Sequence, residues 1–316
     1  MRIPFLDVAK GIAILLVVMV HVGVPEPFLG AYSAKVPIFF FISGLFFKKS
    51  IENGNYISKK SKSILLPFAI YYIISYILFY IIVAVNPDFI SGDSSFSFID
   101  PVKQRSLFNG PLWFLLSLFE VEAVFYLIYN YIKHEALRAL LVLIIALMGF
   151  VLSFTKTFLP LWIDASCVAL MYFYFGYVFS LSNVQQKSIP IVYLIDFGIL
   201  TYVLYLLMPV NIGLSLNQYS NYLFAITSGA LIILFFLIVS KLLNRVTALS
   251  WIGSNSLIIL CTHHLIYRPI KYLQIKVGWE NPYILFVATL LIEILVVIIV
   301  NKWFPILNGK FKKNLK

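Results

Sequence analysis

Three ionisable side chains, Asp7, Lys10 and His21, stand in an otherwise apolar stretch near the N-terminus. A charge in the centre of a bilayer costs about 2.5–3.5 kcal/mol, so such residues face the inside of a helix bundle and mark function. Read as a helix, the stretch turns about 100° per residue, so the eleven steps from Lys10 to His21 fall within about 20° of three full turns. Asp7 and Lys10, three apart, are neighbours that can pair. The three therefore share one stripe, with Lys10 and His21 about 16 Å apart along the axis. An extended substrate lying along that stripe would meet both. Of the three, only His21 has an ordinary pKa, about 6.5, suited to proton transfer near neutrality. The plainer readings are a histidine meeting interfacial water at the outer end of a span, and an Asp7–Lys10 pair that fixes topology at the inner face.

Other polar groups lie deeper in the chain. Glu120 and Glu122, two apart, point to different faces, so at most one reaches a shared cavity. Asp164, Asp196 and Glu293 are single acids suited to joining helices. His263 and His264 are adjacent and face apart. Trp113 can stack on a sugar, although an interfacial anchor is the commoner use of tryptophan. The four histidines, His21, His134, His263 and His264, show no ligand spacing, so no metal is expected. Cys167 and Cys261 stand alone in apolar runs, which argues against a disulfide framework.

The elements that must position these groups follow from composition. Of 316 residues, 61% are hydrophobic and 12% charged, about half the charge of a soluble domain. Apolar runs long enough to cross a bilayer recur throughout. Ten spans fit, at about 6–24, 34–48, 64–85, 111–131, 138–155, 161–182, 189–208, 220–240, 252–269 and 282–304. With the N-terminus in the cytoplasm, 17 of the 24 basic residues fall in inner loops, as the positive-inside bias requires. The net charge of +11 thus reports orientation and not nucleic-acid binding. The expectation is an all-α polytopic membrane protein of about ten transmembrane helices with both termini cytoplasmic. It forms one membrane-embedded domain over residues 1–316, in the inner (cytoplasmic) membrane. The first span is taken as retained, not as a cleaved signal. The loop at about 86–110, with Asn86-Pro87-Asp88 and Ser91-Gly92-Asp93 turn signals, reads as a lid, an acceptor-binding segment or a plain connector.

Four segments carry a family resemblance. Phe5-Leu6-Asp7-Val8-Ala9-Lys10-Gly11 followed by His21 resembles the opening of acyltransferase family 3, bacterial membrane O-acyltransferases. There a basic residue precedes a histidine by eleven positions. The Phe-rich run Val36–Phe47, containing Ser43-Gly44, is similar to the family's second span. Leu112-Trp113-Phe114-Leu115 resembles its Trp-Phe-Leu motif, and Ile252-Gly253-Ser254-Asn255-Ser256-Leu257 with His263 resembles its late Gly-x-Asn motif and following histidine. Short loops and the lack of an added C-terminal domain resemble the branch that acetylates surface polysaccharides.

The resemblance implies acetyl transfer from acetyl-CoA to a carbohydrate hydroxyl, with His21 as catalytic base beside Asp7 and with Lys10 helping to hold the donor. A hydroxyl needs a base during attack, and a thioester carbonyl needs its oxyanion stabilised. Asn255 or Ser256 can donate to that oxyanion; a helix-start cap is the other use of Asn255. Ser43, Trp113, Glu120, Asn255 and His263 become candidate substrate contacts. Lys59, Lys60 and Lys62, with Lys48 and Lys49, make a cytoplasmic patch suited to polyanionic coenzyme A. Where the family carries two arginines three residues apart, this chain has Lys59 and Ser63; lysine meets phosphate as a point charge without a bidentate fork. The expected partners are acetyl-CoA, a carbohydrate acceptor and the lipid bilayer, with self-association open and no nucleic acid. The rival from another class is a proton-coupled transporter or flippase-like carrier using the buried Asp/Lys/His groups as a relay.

Overall fold

A computed structural model describes residues 3–52, 54–85, 97–103, 105–182 and 190–310, excluding the Lys49 side chain. The described chain is helical apart from turns and one two-stranded hairpin. In order it runs α1 (Pro4–Val22), α2 (Ala31–Ala34), α3 (Pro37–Leu45), α4 (Phe47–Glu52), α5 (Tyr56–Lys60) and α6 (Leu66–Val85). It continues through α7 (Asp100–Lys103), α8 (Trp113–Tyr131), α9 (Glu135–Phe154), α10 (Ile163–Leu181) and α11 (Ile191–Leu207). A hairpin follows, β1 (Ile212–Gly213) antiparallel to β2 (Gln218–Tyr219), then α12 (Ala225–Leu242), α13 (Thr247–Ser254), α14 (Ser256–Val277) and α15 (Pro282–Trp303).

Among the described residues, seven helical stretches are long and apolar enough to cross a membrane, and α11 is a shorter apolar helix. Outward faces of α6, α9, α11 and α15 present Ile, Leu and Val to the surroundings. In water that exposure would be costly; toward lipid it is the expected state. The chain is an all-α polytopic membrane protein.

The expected second span is broken. Helix α3 has nine residues, about 13 Å of rise against a hydrocarbon core of about 30 Å. It packs between α2 and α4 as a buried wedge against α10. The expected ninth span is divided at Asn255 into α13 and α14, and α14 continues to Val277, past the expected end. The third begins earlier: a π-helical turn at Ser61–Leu65 joins α5 to α6.

Helix α1 lies at the centre, in contact with α3, α12, α13, α14 and α15. Two helix crossings have backbone against backbone. A Cβ on Gly44 would overlap the carbonyl of Phe173, and one on Gly176 the carbonyl of Phe41. Likewise a Cβ on Gly11 would overlap the carbonyl of Leu249, and one on Gly253 that of Asp7. Small residues allow such approach where no hydrophobic drive acts between helices in lipid. The glycines of the Lys-Gly, Ser-Gly and Gly-Ser-Asn segments are thus packing residues. Beside the first crossing, Phe47 sits fully buried among Tyr56, Phe125, Tyr129, Phe173 and Tyr177, with ring centroids 4.8–6.0 Å away.

Gly176→Ala should destabilise the fold by about 1–3 kcal/mol, because its methyl group meets main chain and not a movable side chain. Thermal unfolding of detergent-solubilised protein measures this; an unchanged melting temperature would show that the α3–α10 crossing can open without loss.

Candidate functional site

His21 sits one residue before the C-terminus of α1, half-buried. Its Nδ1 lies 3.1 Å from Nε2 of His264, near the middle of α14, and the two rings meet edge to face at 4.5 Å. His263 stands on the other side, its ring 5.2 Å from that of His21 and 5.2 Å from that of His264. The Nδ1 of His263 donates to the Ile259 carbonyl at 2.7 Å, one turn back, which leaves Nε2 as the lone-pair nitrogen, buried and without a partner. The Nδ1 of His264 is buried and unpartnered too. Gly110 makes room for this ring: a Cβ there would come within 3.3 Å of the imidazole. Asn109 anchors that loop by donating to the Cys261 carbonyl at 2.7 Å and to Ser75 Oγ at 3.1 Å.

One ring nitrogen from each of His21, His263 and His264 lies within 4.8 Å of the others. Chain spacing gave no sign of this grouping; the fold creates it. Tetrahedral zinc at about 2.0–2.1 Å from each nitrogen sets its ligands about 3.3–3.4 Å apart, so the set is looser than a formed zinc site. The 3.1 Å pair instead shares one proton. If His21 Nδ1–H donates to His264 Nε2, the Nε2 of His21 is left as the base.

His21 forms part of a cavity of about 1080 Å³ at this end of α1. Its walls come from α1 (Val17, Val20), the loop Arg105–Pro111, Trp113 and Phe114 of α8, the Lys156–Trp162 connection, and the hairpin. Trp113 and Trp162 are buried, their rings 6.4 Å apart. Trp162 Nε1 donates to the Ser215 carbonyl at 3.1 Å, and Arg105 donates to the same oxygen at 2.9 Å. Arg105 also pairs with fully buried Asp164 at 2.7 Å. Burial presses the Arg105 guanidinium below its usual value, and Asp164 opposes the shift.

The other expected site residues divide clearly. Asp7 and Lys10 pair at 2.7 Å, as three-residue spacing implies. Asp7 is fourteen residues from His21, about 21 Å along the helix, so it cannot orient that ring; His264 does. The cavity follows α1 as far as Val17 and does not include Lys10. Glu120 and Glu122 do face apart. Glu120 accepts from Ser166 at 2.6 Å, and Glu122 pairs with Lys60 at 2.7 Å. Neither lines the cavity. Lys60, so held, lies 5.4 Å from the Tyr56 ring, while Lys59 and Lys62 are exposed.

Asn255 is committed elsewhere. Its amide donates to the Trp251 carbonyl at 2.8 Å and to Ser254, and its oxygen accepts from Asn301 and Asn308. It neither caps α14 with its side chain nor faces the cavity. Ser43 sits beside Gly44 at the α3–α10 crossing, away from the cavity. Glu293 accepts from Thr262 at 2.9 Å, joining α15 to α14. Of the loop at 86–110, residues 86–96 and 104 lie outside the described residues.

His264, Lys35, Arg105, Trp162 and the hairpin were not foreseen as site-forming. The hairpin had a signal, alternating Ile212 and Tyr219 flanked by Asn211, Gly213 and Asn217. His264 had none beyond adjacency to His263.

The family model described as an acyltransferase domain matches residues 3–301, nearly the whole chain. No curated protein and no solved structure matches it.

Asp164→Asn removes the partner of a buried guanidinium and should cost about 3–5 kcal/mol. Chemical denaturation checks it; a loss below about 1 kcal/mol would mean the pair acts as an exposed surface bridge.

Proposed function

The chain belongs to this acyltransferase family, and from that premise we propose a membrane O-acetyltransferase that moves acetyl from cytoplasmic acetyl-CoA to a carbohydrate hydroxyl. The observation that carries the reading is His21 at the cavity wall with its Nδ1 engaged by His264. In the reaction, His21 Nε2 removes the proton of the attacking hydroxyl. Its oxygen forms the new bond to the thioester carbonyl carbon, the carbon–sulfur bond breaks, and the proton passes to the leaving thiolate. His264 is a positioning residue: it holds the imidazole in the tautomer that leaves Nε2 bare and accepts from Nδ1 as positive charge develops. Trp113 and Trp162 offer apolar faces to a sugar ring.

Ten crossings with both termini in the cytoplasm are part of the same reading. Lys10 and the lysine-rich turn then face the donor side, and the cavity opens on the outer side. Lys59 and Lys62 are the candidates for the phosphates of coenzyme A, with Lys60 secured to Glu122 as a structural pair. Asn255 is not the oxyanion donor, since its amide is engaged. The protein resides in the cytoplasmic membrane. A carrier relay is disfavoured, because α1 carries no titratable side chain between Lys10 and His21.

Purified protein given labelled acetyl-CoA and a glycan acceptor tests the reading. Wild type should transfer or hydrolyse acetyl, and His21→Ala should lower the rate at least about 100-fold. Absence of both activities in wild type removes the enzyme reading; transfer persisting in His21→Ala removes the base. His264→Ala should lower kcat, leave the donor KM near wild type and move the pH profile, with His264→Gln recovering part of the loss. A chelator should leave turnover unchanged; a loss restored by zinc would assign the three histidines to a metal.

A further inference from the structure

The cavity that holds His21 has an uneven charge lining. Three cationic side chains, Lys35, Arg105 and Lys156, contribute to its wall, and no carboxylate does among the described residues. Arg105 is already neutralised by Asp164. Lys35 and Lys156 make no ion pair among the described residues. Lys35 is half-buried, and its Nζ donates to the Tyr32 carbonyl at 2.7 Å, leaving two further N–H groups. Glu26 is the carboxylate within its electrostatic reach. That carboxylate is itself engaged, accepting from Tyr32 N–H at 2.8 Å. Lys156 is exposed, on a turn with φ of 54°.

An amine held partly out of water with no paired anion is a cost to the fold unless a ligand supplies the anion. Aromatic faces on the same wall, Trp113 and Trp162, suit a saccharide ring. At about 1080 Å³ the cavity exceeds the usual range for a small ligand, about 300–1,000 Å³. It has room for more than one sugar residue.

We propose that the acceptor taken by this cavity is a saccharide bearing a fixed anionic group, carboxylate or phosphate, which Lys35 and Lys156 hold while a hydroxyl meets His21. The proposal rests on the acyl-transfer reading above and narrows its substrate class. Nearby bound charge on the acceptor would also separate it from neutral glycans, since the two amines gain a partner only from the anionic form.

Binding is the direct test, read by quenching of tryptophan fluorescence in detergent-solubilised full-length protein. The probes are a glucuronate-containing oligosaccharide, its carboxyl-reduced neutral counterpart, and a glycosyl phosphate with its free sugar. Wild type should bind at least one anionic probe about tenfold more tightly than its neutral counterpart, the size of one or two charge-assisted hydrogen bonds. The carboxylate and phosphate arms decide which anion is used. The double variant Lys35→Gln, Lys156→Gln should bring that ratio to about one, while Lys35→Arg retains it and confirms that the site remains folded. The proposal is overturned if neither anionic probe outbinds its neutral counterpart, or if the ratio survives in the double variant. Acetyl-CoA turnover, followed separately in the same preparation, reports on the enzyme reading, so the two can fail independently.

Discussion

Where Gly11 of α1 meets Gly253 of α13, main chain rests on main chain, and no side chain larger than hydrogen fits on either partner. This contact fixes the height and rotation of α13 against the central helix. Asn255 then ends α13 and starts α14, its amide and carbonyl tied to Trp251, Asn301 and Asn308. From that fixed start α14 runs beside α1 and brings His264 level with His21, eight residues beyond Ser256. A displacement at the glycine contact would pass along the helix and separate the imidazoles. The 3.1 Å contact at the site is therefore a product of packing many residues away.

The same logic explains how a membrane interior tolerates so many polar groups. Four buried acids among the described residues have a side-chain partner: Asp7 has Lys10, Glu122 has Lys60 on one of its two oxygens, Asp164 has Arg105 and Glu293 has Thr262. These pairs consume the groups that a catalytic scheme might otherwise claim. What remains at the cavity wall are His21, aromatic faces and two amines. The cavity and its histidine thus lie at one end of α1, while the acids elsewhere hold helices in register.

The sequence conveyed the fold class because apolar runs and basic loops are local features. It conveyed His21 because a histidine in an apolar helix is conspicuous, and the Asp7–Lys10 pair because both lie on one turn. It could not convey His264, which is 243 positions away and indistinguishable from His263 until α14 is packed. Asn255 reads as an oxyanion donor or a helix-start cap but, like Gly253 of the same motif, proves to hold helices together, since helix contact and hinge geometry are absent from a linear pattern. Lys60 was equally opaque: a lysine in a basic loop gives no hint of the buried glutamate that holds it. The break of the second span into α2, α3 and α4 was not legible either, because its Phe-rich run is uniformly apolar and burial of α3 against α10 leaves no mark in a linear pattern.

The orientation of His21 depends on its sharing a proton with His264. Solid-state NMR of protein reconstituted in lipid with 15N-labelled histidine measures this without reference to turnover. We predict a through-hydrogen-bond coupling between His21 Nδ1 and His264 Nε2 that disappears in His264→Ala, with the His21 Nε2 signal in the unprotonated range. Two uncoupled imidazoles, or a His21 protonated on Nε2 alone, would contradict the assignment of His21 as a base oriented by His264.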